Sequence, residues 1–228
     1  MKKNALFSLS LVGLFVANAQ ALTIIDGGTR NGSFESATAT GVQYDAEFWS
    51  FGFNSDQVQR QDNDSNTPDG SYSLVIGTNN DGSVHNGAYQ LTGYEVGAGD
   101  RFSLSFSWGA AYQWVSGDDI NWRLFTTEDN TTTGTITEIA SGFVTGKSAS
   151  TLPLTNWSTA DVLVEGGTIT SSNIGQLLFV EFYEANGINQ FARIDNVVLS
   201  VVPEPATFGL FAGGIALVSM MIRRRVSK

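Results

Sequence analysis

Between Leu22 and Val201 the chain runs in short stretches that alternate apolar and polar residues, punctuated by glycine and by Asn/Asp-Gly pairs. A two-residue period belongs to half-buried β-strands, and no 3.6-residue period competes with it. Arg101–Trp108 is the clearest instance. Phe102, Leu104, Phe106 and Trp108 share one face, and Ser103, Ser105 and Ser107 the other. The pattern predicts further strands at 43–53, 71–77, 86–92, 120–127, 135–140, 157–165, 176–184 and 190–201. Asn31-Gly32, Asp69-Gly70, Asp81-Gly82, Asn86-Gly87 and Asn186-Gly187 supply turns, because these pairs tolerate positive φ. With no repeat and no linker inside it, 22–202 reads as one all-β domain, a two-sheet antiparallel β-sandwich. Trp49, Trp108, Trp122 and Trp157 sit in alternating apolar runs and are expected in its core.

The two ends follow other rules. Lys2 and Lys3 precede an apolar run from Ala5 to Ala17, and Ala19-Gln20-Ala21 has the small-x-small form that signal peptidase accepts. Residues 1–21 are therefore read as a signal peptide, since 13 apolar residues are too few for a permanent span. At the other end Pro203-Glu204-Pro205 stops the strand pattern, because proline removes ladder donors. Ala206 to Ile222 then carries no charge, predicting a transmembrane helix about 25 Å long over 206–222. Arg223, Arg224 and Arg225 follow and are expected to stay cytoplasmic, which puts 22–204 across the membrane.

Val202-Pro203-Glu204-Pro205-Ala206-Thr207, the short glycine-containing apolar helix and the closing arginines together resemble the PEP-CTERM sorting signal, over residues 202–228. The resemblance implies an exosortase that processes the tail at Pro203-Glu204-Pro205. It also implies a Gram-negative bacterium that makes exopolysaccharide and biofilm matrix. The expected route is export across the inner membrane, transient anchoring through the C-terminal helix, and release to the cell surface or extracellular matrix.

Charge and composition narrow the rest. Twelve basic residues oppose 22 acidic ones, a formal charge of −10. Six of the basic residues lie in the terminal segments, so the middle keeps 6 against 22, or −16. Such a body repels phosphate backbones and excludes nucleic acid as a partner. No cysteine and one histidine, His85, exclude disulfides, thiol catalysis and ordinary zinc sites. His85 has no nucleophile elbow to serve, so no catalytic residues are assigned. Asp118-Asp119 and Glu181/Glu184 are nominal carboxylate pairs for a glycosidase, but 22 acids produce such pairs by chance. The acidic stretch 62–70 fails the helical calcium-loop pattern, with Thr67 at the sixth position and Ser73 at the twelfth.

The body opens with Asn31-Gly32-Ser33-Phe34-Glu35 and closes with Arg193-Ile194-Asp195-Asn196-Val197-Val198-Leu199. This pairing resembles jelly-roll domains of the galactose-binding-like class, which include many carbohydrate-binding modules. The resemblance implies a structural Ca²⁺ held by Glu35 and Asp195, with backbone carbonyls from Asp69 to Tyr72. Asp195 shares strand phase with Val197, Leu199 and Val201, and a buried carboxylate needs a cation or several donors. The alternative is that Asp195 only hydrogen-bonds a neighbouring loop while Glu35 faces water. Sugar binding needs aromatic platforms beside polar groups. Tyr112 and Trp114 share a face if the strand continues that far, with Asp118, Asp119 and Asn121 close behind, and burial in the core is the competing fate of both rings. The leading expectation is a secreted, non-enzymatic matrix protein with exopolysaccharide as its partner. A divergent polysaccharide hydrolase and a structural matrix protein without a discrete site stand as alternatives.

Overall fold

The computed structural model describes residues 21–37, 46–51, 58–62, 67–77, 87–110, 119–131, 134–145, 157–184 and 191–202. Residues 1–20 of the expected signal peptide 1–21 and the apolar run 206–222 lie outside them. Among the described residues there are eleven strands: β1 (Leu22–Ile25), β2 (Ser50–Phe51), β3 (Val58–Asp62), β4 (Tyr72–Gly77), β5 (Ala88–Glu95), β6 (Arg101–Ala110), β7 (Asp119–Thr127), β8 (Ile136–Thr145), β9 (Ser158–Val164), β10 (Leu177–Glu184) and β11 (Phe191–Val202). A single 3-10 turn, Gly166–Thr168, joins β9 to the approach of β10.

The strands form two antiparallel sheets of a β-sandwich. One has the order β3-β4-β11-β6-β9, with β1 also paired to β11, and the other β2-β5-β10-β7-β8. The predicted alternation of β6 holds: Phe102, Leu104, Phe106 and Trp108 all enter the core. Opposite them lie Ile120, Trp122 and Leu124 of β7 and Leu178, Val180 and Phe182 of β10. Phe106 meets Phe182 edge to face at 4.9 Å across the two sheets, a geometry that aromatic quadrupoles favour.

Register gives the sandwich a polarity. In the six-stranded sheet Gly77, Ala110 and Phe191 lie at one end, with Ala110 beside Ala192 and Gly77 beside Phe191, and in the five-stranded sheet Asp119 lies beside Thr145. Val202 lies beside Arg101, at the opposite end.

Four expectations are corrected. β1 and β3 were not foreseen, and of the 43–53 run the described residues 46–51 hold β2 and a bridge between Ala46 and Trp49. β8 runs on to Thr145. Trp157 is not in the core; its ring lies 4.7 Å from the Arg193 guanidinium, beside Gly109. Asp195 does not share the core phase of Val197 and Leu199. The register shifts between Asp195 and Val198, with Asn196 at φ 49°, so the core positions are Ala192 and Ile194 before this bulge and Val197 and Leu199 after it.

Candidate functional site

The outer face of the five-stranded sheet is built from residues between the core positions of β7 and β10. Pairing places Phe143 opposite Asn121 and Asn121 opposite Tyr183, one row crossing β8, β7 and β10. Phe143 is 62% exposed. Two strand spacings put Phe143 and Tyr183 about 9.6 Å apart. The Asn121 side-chain nitrogen between them is buried and has no hydrogen-bond partner among the described residues. An amide donor left in this state wants an acceptor.

The next row is Ser141, Arg123, Glu181 and Tyr89. Arg123 Nε donates to Glu181 Oε2, and both side chains are largely buried. The Arg123 guanidinium also lies 4.7 Å from the Phe125 ring and 5.4 Å from that of Tyr183. Phe125 in turn stacks on Phe179 at 5.0 Å. Burial pushes the Tyr183 hydroxyl above its ordinary pKa of 10.0; Arg123 pulls it down, while Glu181 and Glu138 push it up. The face can therefore offer ring surfaces, an unsatisfied amide and a fixed ion pair side by side.

A second cluster forms where the opening and closing motifs meet. Gly32 N donates to Asp26 O, and Val197 N donates to Gly32 O. A Cβ on Gly32 would collide with the Val197 carbonyl, which is why glycine stands there. Asn31, Phe34 and Asn196 all take left-handed backbone angles, and the Asn31 side chain ties down Ser36 and Glu47. This knot aims Glu35 at the turn before β4, where its Oε1 accepts from Ser71 N and Tyr72 N, both at 2.8 Å. Asp195 reaches the same turn: its Oδ2 accepts from Asp69 N at 3.0 Å, and its Oδ1 from Asn196 N. Gly70, at φ 66°, leaves room for the Glu35 carboxylate where any side chain would clash.

Asp195 is fully buried, and its pKa is pushed up to about 7, first by burial and then by the Asp69 and Glu35 charges, against two backbone hydrogen bonds that lower it. The contacts shown to Asp195 and Glu35 are backbone N–H groups, whereas a hard cation needs oxygen ligands. Among the described residues no three acidic or histidine side chains gather in ligating geometry, so backbone carbonyls would have to complete the shell. Tyr72 contributes its backbone here, while its ring stacks 3.7 Å from the Arg60 guanidinium.

Of the residues expected to bind sugar, Asn121 and Asp119 are on β7, while Tyr112, Trp114 and Asp118 lie outside the described residues, as does His85. Glu181 is the inner half of an ion pair. Phe143, Tyr183 and Arg123 were missed. They are spread over 60 residues, and only register brings them together.

The chain leaves the sandwich at Val202. Residues 201–225 match the PEP-CTERM protein-sorting motif. The first two residues of this PEP-CTERM motif are thus also the last two of β11. Such a motif implies export and processing by an exosortase. No curated protein matches the chain in sequence. Several solved structures share its fold. The CBM22-1 xylan-binding domain of Xyn10C from Paenibacillus barcinonensis has TM-score 0.51 at 12% identity, over 80% of this chain and 96% of that one. A putative sugar-binding protein from Bacteroides thetaiotaomicron has TM-score 0.50 at 14% identity, over 79% and 100%. A Stig cyclase from Fischerella sp. TAU has TM-score 0.55 at 14% identity, over 81% and 99%. The body of the chain thus has the β-sandwich fold that these sugar-binding domains and this cyclase share.

Proposed function

We propose that this protein is a non-enzymatic polysaccharide binder, sorted to the cell surface to act in the extracellular or biofilm matrix, and that its ligand lies on the outer face of the five-stranded sheet. The observation that carries this reading is the row Phe143, Asn121, Tyr183. Apolar ring faces on either side of an unpartnered amide complement a pyranose, whose faces are apolar and whose edges carry hydroxyls. Likeness of fold to sugar-binding domains supports the reading by analogy only. Tyr112 and Trp114, outside the described residues, are offered as further ring contacts of the same ligand because their segment leads directly into β7 in sequence.

Titration with neutral β-glucans and xylans, alongside an assay for reducing sugar, tests it. Binding without turnover is expected, with Asn121→Ala and Tyr183→Ala each lowering affinity about tenfold. Trp114→Ala should cost about 2 kcal/mol of binding, as other aromatic contacts do. Sugar release would favour a divergent hydrolase. Unaltered binding by a folded Asn121→Ala/Tyr183→Ala variant would remove the site from this face, and no binding to any glycan would leave a structural matrix role.

Calcium belongs to the same proposal as a structural ion at Glu35, Asp195 and the Asp69–Tyr72 turn. A cation there would neutralise the carboxylates that now repel one another. If it binds only the folded chain, chelation lowers the melting temperature by an amount set by RT ln(1 + [L]/Kd). Asp195→Ala should abolish that sensitivity, and a wild-type melting curve unmoved by excess chelator would leave only the hydrogen-bonded role.

A further inference from the structure

The Asn31-Gly32 pair, expected to supply a turn, stands inside the knot where the opening and closing motifs meet. Asn31 is 4% exposed. Its side-chain nitrogen donates to Ser36 O at 2.8 Å and to Glu47 O at 3.2 Å, and its Oδ1 accepts from Ser36 N at 2.9 Å. Its backbone carbonyl accepts from Trp49 Nε1 at 3.0 Å. The next amide, Gly32 N, donates to Asp26 O at 2.7 Å. We propose that Asn31 is a deamidation site that folding keeps closed and unfolding opens, so that a lasting excursion to the unfolded state leaves a permanent mark that bars refolding.

Glycine after asparagine favours this reaction, because no Cβ hinders the approach of the following amide. Gly32 N attacks the side-chain carbonyl carbon of Asn31, its proton passes to the side-chain nitrogen, and ammonia leaves from a cyclic imide. Water then opens the ring at either C–N bond, supplying the carboxyl oxygen and returning a proton to the nitrogen. One opening gives aspartate, the other isoaspartate, which adds a carbon to the main chain. In the folded chain both reacting groups are engaged. Asp26 O holds the Gly32 proton, three hydrogen bonds fix the carboxamide, and Val197 N holds Gly32 O at 2.8 Å, so the peptide cannot swing its nitrogen over the carbonyl carbon. The product does not fit the knot. An aspartate has no donor for Ser36 O and Glu47 O, and sets a buried carboxylate oxygen against both carbonyls. The fault reaches the core, because the Asn31 carbonyl seats Trp49 against Phe34 and Phe182. Chemical change of the unfolded chain then makes unfolding irreversible.

Peptide mapping of Asn31 in the full chain, incubated at mildly alkaline pH with and without denaturing urea, tests the closed site. Conversion in urea should be at least a hundredfold faster than in the folded chain, and rates within tenfold of each other overturn the proposal. After the urea is diluted out, chains that regain native circular dichroism should carry intact Asn31, and converted chains should collect in the unfolded fraction. Converted chains that refold in proportion to their share overturn the bar to refolding. Asn31→Asp supplies the product directly and should lower the ratio of folded to unfolded chains at least a hundredfold at neutral pH. Burial holds that carboxyl above its unfolded pKa, so its deficit against wild type should shrink as pH falls and the protonated group regains a donor. A deficit that does not change with pH refutes the carboxylate as the cause. If Asn31→Asp does not fold at any pH, the two wild-type measurements decide.

Discussion

Each sheet of the sandwich turns one face away from the core, and the two outer faces differ in kind. On the six-stranded sheet the outward rows are mainly short polar residues: Ser103 and Ser105 from β6, Thr159 and Asp161 from β9, Ser200 from β11. Its buried charges, Arg193 and Asp195, lie where Trp157 and the Asp69 turn reach them. On the five-stranded sheet the outward rows are rings, an amide and an ion pair whose carboxylate is nearly inaccessible. Both faces obey the same apolar–polar alternation, so period alone does not tell them apart. What separates them is size and desolvation. Serines leave the sheet wet, whereas Arg123 lying across Phe125 and Tyr183 costs solvation that a partner can offset.

Removing the ion pair breaks this contrast most sharply. Glu181→Ala leaves Arg123 without its carboxylate in a largely buried place and should cost about 3–5 kcal/mol, read by urea unfolding. Ser105→Ala on the other face should stay within about 0.5 kcal/mol. Equal losses would mean that the faces are energetically alike. A matched pair of exposed apolar residues sharpens the comparison in binding. Phe143→Ala should weaken polysaccharide affinity about thirtyfold with little change in stability. Leu163→Ala, 52% exposed on the serine face, should change neither. The smallest effect is in alkaline pH dependence. Because the folded-state pKa of Tyr183 is raised, its contribution is complete below pH 10 and is lost as pH climbs through the shifted value. Tyr183→Phe should flatten that decline, and an identical slope would place the hydroxyl in water.

The core was legible because alternation reports it directly. Trp49, Trp108 and Trp122 are buried where their runs place them. Two strands escaped for opposite reasons. β3, Val58-Gln59-Arg60-Gln61-Asp62, has one apolar residue in five, and β1 is only four residues long and adjoins the signal segment. The phase of Asp195 was misread because a bulge at Asn196 leaves no mark in apolar spacing. Only the tolerance of asparagine for positive φ hints at it. Asn121 was singled out for its nearness to Trp114, whereas its observed neighbours are Phe143 and Tyr183, 22 and 62 residues further along. Those pairings depend on register, which a single strand does not encode.

The position of β11 has one more consequence. It stands between β6 on one side and β4 with β1 on the other, so the six-stranded sheet has no centre until the last residues of the body have arrived. The same residues run straight into the sorting address. A chain cut short in synthesis or by damage therefore loses its keystone strand and its address together. Possession of the motif therefore implies possession of the strand that completes the sheet.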